Sequence, residues 1–209
     1  MSGRKADAPY RIVTERLVIR CWSPRDAPLL KDAIDSSLES LQRWMPWAHE
    51  EPTSVEHKVQ LLRRFRGRFD LGQEFVYGIF DADETEVVGG TGLHPRADDS
   101  SLEIGYWIRD SRVGNGFATE VAAALTRVAI DVCGVERVDI RVDPDNAASL
   151  AIPRRLGFTE EGTLRRRLPT AEGARADVTV FSLFPDELET TPSGDLRLTA
   201  FDAFGDRVL

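Results

Sequence analysis

The sequence predicts a mixed α/β (α+β) fold: a mixed sheet with helices on both faces. Three observations carry this. Helical patterning dominates the first third of the chain, after one short β-rich run. Two further β-rich runs then meet across an acidic turn. Beyond them the pattern alternates strand, helix, strand, helix, strand. The chain has 209 residues, 42% of them hydrophobic, enough for one sizeable core with appendages.

Taken in order, residues 1–10 read as a disordered N-terminus. Ile12, Leu17 and Ile19 mark a strand over 11–20. Ser23 is placed to cap a helix that has Pro24 at its first position. A second short helix over 37–48 is broken at Pro46. In the next stretch Val55, Val59, Leu62, Phe65 and Phe69 recur at helical spacing, and Gly72 ends it. "EFVYGIFD" and "EVVGGTGL" read as a hairpin around "DADET".

"SLEIGYWIRD" is a third strand. A helix follows, with Phe117, Val121, Leu125, Val128 and Val132 as its buried stripe and Gly134 at its end. A strand over 136–143 comes next, and it should lie parallel to 101–109. The short helix after it runs from Asn146, its N-cap, to Gly157. "FTEEGTLRRRL" and "ADVTVFSLF" close the domain as a strand pair around a loop at 169–174. The domain is thus expected over 11–184. Residues 185–194 read as a linker, and the remainder to 209 as an extra hairpin. No internal repeat is visible.

Composition excludes several classes. The net charge of −8 argues against a general nucleic-acid binder. No run approaches the ~20 apolar residues of a membrane span. The N-terminus lacks a signal-peptide core, so a cytoplasmic protein without membrane attachment is expected. Cys21 and Cys133 are far apart and His49, His57 and His94 show no ligand spacing, so no metal is expected. His94, before Pro95, reads as an exposed turn residue. Lys5, Lys31 and Lys58 are the only lysines, and arginine carries the positive charge.

The stretch with chemical content is "RDSRVGNGFATE", Arg109–Glu120. Gly114 and Gly116 stand where a strand hands over to a helix. A helix start offers free N–H groups at a positive dipole end, and glycines clear the approach for an anion. A P-loop would need a Lys after Gly116, and none is near. A dinucleotide loop would need a third Gly where Thr119 stands.

"VGNGFATE" resembles the pyrophosphate loop of the GNAT superfamily of N-acetyltransferases. Gly116 and Ala118 fill the last two places of its Arg/Gln-x-x-Gly-x-Gly/Ala pattern. Val113 stands where Arg or Gln is usual, and Arg112 beside it is a substitute charge. "DNAASLAIPRRLGF" resembles the downstream Asn…Leu-Gly-Phe helix of the same superfamily. "LQRWMPWA" and "EIGYWI" resemble its RimJ/RimL-like branch, the ribosomal-protein alanine N-acetyltransferases. The likeness covers roughly residues 11–184.

The resemblance implies a central sheet of about seven strands in which 101–109 and 136–143 splay apart. It implies acetyl-CoA as donor and no metal. The diphosphate would be held by main-chain N–H groups of Val113, Gly114, Asn115, Gly116, Phe117, Ala118 and Thr119. The pantetheine arm would pair near Trp107, Ile108 and Arg109, with Asn146 and Ser149 close by. An N–H near Gly105–Tyr106 would polarise the thioester, and Gly105 fits a bulge there.

Glu103 is the candidate base and Ser149 the candidate donor to the leaving thiolate. Pro153 stands where many members of the family carry a Tyr. Trp44, Met45 and Trp47 would line the acceptor side.

The expected acceptor is a protein N-terminal α-amine or a small-molecule amine. Arg165–Arg167 suit an acidic acceptor or a solvated face equally. The chain is a monomer or a homodimer on this reading. Two alternatives stay open: a non-catalytic acyl-CoA-binding or sensor protein on the same fold, and a nucleotide-phosphate module.

Overall fold

A computed structural model describes residues 8–96, 100–169 and 175–209. Its strands are β1 (Arg11–Val13), β2 (Leu17–Cys21), β3 (Phe75–Asp81), β4 (Val87–Pro95), β5 (Ser101–Ile108), β6 (Arg137–Val142), β7 (Thr159–Pro169), β8 (Arg175–Leu183) and β9 (Thr199–Phe201). They form one sheet in the order β7-β8-β6-β5-β4-β3-β2-β1-β9. One face carries α1 (Ala27–Asp35), α2 (Leu38–Trp44) and α3 (Val55–Asp70). The other carries α4 (Phe117–Arg127) and α5 (Ala147–Arg155). The mixed class and its two helical layers are as the sequence predicts.

The helix signals act locally as expected. Ser23 and Asp26 form a capping box on the turn Pro24–Asp26 that leads into α1. Pro46 separates α2 from a 3-10 turn at Pro46–Glu50. Ser54 caps α3, which buries Leu62 and Phe69. Each such side chain contributes about 1.5–3 kcal/mol on burial.

The sheet has nine strands rather than about seven, for two reasons. The run at 11–20 is two strands, because Thr14 turns the chain back. Its N–H donates to the Leu17 carbonyl at 3.0 Å, and Ile12 then faces Ile19. The C-terminal segment also belongs to the sheet. β9 pairs with β1, Ile12 opposite Ala200, and Val208 N–H folds back onto the Ala200 carbonyl at 2.8 Å.

The boundaries shift accordingly. The expected linker at 185–194 is a 3-10 turn (Pro185–Thr190) followed by the short α6 (Pro192–Asp195), with Leu188 and Ser193 buried. Residues 8–10, expected to be disordered, are packed: Ala8 is buried and Tyr10 N–H donates to the Phe201 carbonyl. Residues 1–7 and most of the expected loop at 169–174 lie outside the described residues.

One parallel pairing decides the geometry that follows. β5 and β6 run side by side from Ser101/Arg137 to Ile104/Ile140, and no further. β5 continues against β4 as far as Ile108, and β6 against β8 as far as Val142. The two strands therefore splay, and half of β5 loses its neighbour on that side.

Candidate active site

The splay exposes specific main-chain groups. Glu136 N–H donates to the Ser100 carbonyl at 2.8 Å, and Arg109 N–H donates to the Val88 carbonyl at 2.9 Å. Alternation along β5 between these fixed ends turns the N–H and C=O of Tyr106 and Ile108 into the gap. Those of Gly105, Trp107 and Arg109 face β4 instead. The expected pairing surface thus narrows to Ile108, with Tyr106 added. No bulge occurs at Gly105, since the β4–β5 register runs unbroken.

The Arg109 side chain is buried and braces the end of β5. It pairs with Asp32 of α1 at 3.1 Å and with Glu86 at 2.8 Å.

Beyond β5 the chain makes the glycine turn. Gly114 (φ +84°) and Gly116 (φ +77°) both take the left-handed conformation. Nothing lies within 4 Å of where a Cβ on Gly114 would be. Gly116 is the N-cap of α4, and no side chain caps the helix. The N–H groups of its first turn therefore remain for an anion. The Asn115 amide ties the turn by donating to the Arg112 carbonyl at 3.0 Å. Val113 is exposed, and Arg112 is paired with Glu86.

Two arginines not singled out by the sequence stand at this loop. Arg16 donates to the Asn115 carbonyl at 2.9 Å, pairs with Glu120 and lies over the Phe117 ring. Arg155 of α5 reaches Thr119 Oγ1 at 3.4 Å. Their sequence distances from the loop hide them from local patterning.

α5 stands beside the gap. The Asn146 side chain caps it by accepting from Ser149 N–H at 3.0 Å, and the Tyr106 hydroxyl reaches the Ser149 carbonyl at 3.5 Å. Burial pushes the Tyr106 phenol well above its ordinary pKa. Pro153 is buried inside the helix.

On the opposite face of the sheet a cavity of about 510 Å³ lies under α1–α3. Met45, Trp47, Trp107, His94, Gly105 and Tyr106 are among its lining residues. Trp47 and Trp107 face each other with ring centroids 6.1 Å apart. Trp44 is not part of the lining; the Arg43 guanidinium covers it. The cavity meets the splay at Gly105–Tyr106, where an acceptor and a donor would come together.

The charged groups are largely matched. Lys58, fully buried, pairs with Glu51 at the cavity wall. Glu103 is a correction to the sequence reading. Both of its oxygens are engaged by Arg96, at 2.6 and 2.8 Å, and Arg141 adds a third contact at 3.1 Å. It does not line the cavity.

His94 is the other correction. It lies within β4, half-buried, and lines the cavity rather than standing in an exposed turn.

Residues 16–159 match the family model of the acetyltransferase (GNAT) domain. The chain belongs to the GNAT acetyltransferases.

Curated relatives agree. The [ribosomal protein uS5]-alanine N-acetyltransferase of Escherichia coli is 29% identical over 168 residues, 78% of this chain and 85% of that protein. The uncharacterized N-acetyltransferase YoaA of Bacillus subtilis is 28% identical over 171 residues, 81% of this chain and 94% of that one. Among solved structures, Mycobacterium smegmatis RimJ in complex with CoA-disulfide superposes with a TM-score of 0.78, covering 91% of this chain and 94% of that one. At 24% identity that last likeness is one of fold.

As a GNAT enzyme, the chain transfers the acetyl group of acetyl-CoA to an amine. This reaction needs room for a diphosphate, a pantetheine arm and an amine.

Proposed function

We propose that the acceptor is the α-amine at the N-terminus of a protein or peptide, attacked directly without an acyl-enzyme. The observation that carries this is the cavity's combination of aromatic walls and compensated charge. Trp47, Trp107 and Met45 offer apolar surface for one small N-terminal side chain. Glu51 is paired with Lys58 and Glu74 with Arg68, which leaves Glu50 as the one lining carboxylate without an ion pair among the described residues. A polyamine or polycationic drug would call for uncompensated carboxylates along its length.

In this reading the main-chain N–H groups from Gly114 to Thr119 hold the diphosphate, with Arg16 and Arg155 adding positive charge; Val113 N–H is instead taken by the Asp110 carbonyl at 3.2 Å. Tyr106 and Ile108 pair with the pantetheine arm as an added strand would. Tyr106 N–H polarises the thioester carbonyl and stabilises the tetrahedral oxyanion. Ser149, in the first turn of α5, donates to the departing sulfur.

The test is thiol release from acetyl-CoA with a panel of acceptors. It comprises free peptides beginning with Ala or Ser, the same peptides N-terminally blocked, spermidine and an aminoglycoside. The free peptides should give the highest kcat/KM and the blocked ones none. Preference for spermidine or the drug would overturn the peptide assignment. CoA binding without turnover on any amine would favour a sensor.

A further inference from the structure

We infer that His94, oriented by Glu74, is the general base that deprotonates the incoming amine. This rests on the acetyl-transfer reading above and assigns a proton acceptor to it.

The placement comes from three elements. Gly90, Gly92 and His94 share one face of β4, directly opposite Trp107, Gly105 and Glu103 of β5. The two glycines nearest the ring leave it room. A Cβ on Gly92 would come within 2.7 Å of His94 Nε2, and one on Gly105 within 3.3 Å. The imidazole therefore lies across the strand pair beside Gly105. The next residue, Tyr106, is the one whose main chain opens into the splay. Nε2 faces this floor from within the cavity, while Nδ1 lies 3.0 Å from Glu74 Oε1 on the other side.

Glu74 is suited to fix the ring. Arg68 holds its second oxygen at 3.0 Å. Its hydrogen bond with His94 is the main cause of a pKa lowered to about 2, so it is an anion that accepts from Nδ1–H. That leaves the Nε2 lone pair directed at the cavity. Glu103, the other ionisable group on this face, is taken by Arg96 and Arg141. His57, Glu50 and Glu51 also line the cavity, but His57 comes from α3 and not from the strand pair that carries Gly105.

The step balances simply. An ammonium proton passes to Nε2. The freed nitrogen lone pair forms the N–C bond with the acetyl carbon. The C–S bond breaks, and the thiolate takes the second nitrogen-bound proton. His94 then returns its proton to solvent.

Two measurements test this, one of which needs no acceptor. Bromoacetyl-CoA places an alkylating carbon where the acetyl group would sit, and Nε2 would displace bromide to form an N–C bond. Mass spectrometry should find one adduct on His94, prevented by excess acetyl-CoA. Adducts confined to other residues, or none despite bound reagent, would overturn the proposal. In turnover with the peptide panel, His94→Gln should lower kcat about 100-fold, within the range of a general base, with CoA affinity unchanged. Added imidazole should restore part of the rate to His94→Gly. Glu74→Gln should lower kcat less and reduce the acid-side limb of the pH profile. Wild-type turnover in His94→Gln would sink the assignment. A wild-type enzyme inert on every amine would instead sink the acetyl-transfer reading, while labelling still decides where His94 lies.

Discussion

Ile104 and Ile140 are the last residues at which β5 and β6 lie side by side. Past them the strands take different partners, and main-chain groups that a closed sheet would consume are left facing a gap. On the proposed reading, the donor, the acceptor cavity and the glycine turn all meet at that divergence.

Gly116→Val should weaken CoA binding about tenfold or more, while the protein stays folded. Its φ of +77° disfavours a β-branched residue, at a local cost of about 1–2 kcal/mol. The new Cβ would also approach Arg16 Nη2, 3.7 Å away. Calorimetric titration with CoA, beside circular dichroism, checks both parts. Unchanged affinity in a folded variant would remove the loop from the binding site.

Trp47→Ala should raise the acceptor KM about tenfold, the loss expected for part of an aromatic wall, and leave CoA affinity alone. Trp44→Ala should change neither constant, because Trp44 lies outside the cavity lining. Initial-rate kinetics on a peptide acceptor compare the two. Equal effects from both would contradict the placement of the Pro46–Glu50 turn over the site, with Trp44 outside it.

The sequence distinguished these two tryptophans poorly, and the reason generalises. What depends on neighbouring residues was legible: the glycine turn, the Ser23 and Asn146 caps, the break at Pro46. What depends on distant pairing was not. No local pattern says that β6 leaves β5 after Ile140. None says that Thr199–Phe201 adds to β1, since three residues are too few to show alternation. His94 was misread because His-Pro resembles a turn, yet Pro95 ends a strand and leaves His94 inside it. Glu103 looked catalytic because a carboxylate interrupts an apolar strand. Its arginine partners, Arg96 and Arg141, come from other strands or strand ends.

Lys58→Met should destabilise the protein by about 3–5 kcal/mol, because it leaves Glu51 buried without its cation. Lys58 is fully buried and Glu51 nearly so, with Thr53 as the carboxylate's remaining donor. The double variant Lys58→Met with Glu51→Gln should recover much of the loss. Urea unfolding of all three proteins measures it. A single variant as stable as the wild type would show the pair to be dispensable.

The Glu74 contact should also be visible in pH-dependent stability. Its pKa falls from 4.5 to about 2, chiefly through the hydrogen bond with His94. A depressed carboxylate contributes stability above its unfolded value, and this is lost as pH falls through the folded value. Wild type should therefore melt higher than Glu74→Gln at neutral pH. The difference should shrink between about pH 4.5 and about pH 2. Parallel melting curves across that window would disprove the coupling.

Residue-resolved amide hydrogen exchange, with and without CoA, tests the splayed-strand donor site most directly. CoA should slow exchange at Tyr106, Ile108 and the first turn of α4, Phe117–Thr119, and leave the closed pairing at Leu102–Ile104 unchanged. Bound CoA with no protection at those amides would contradict it.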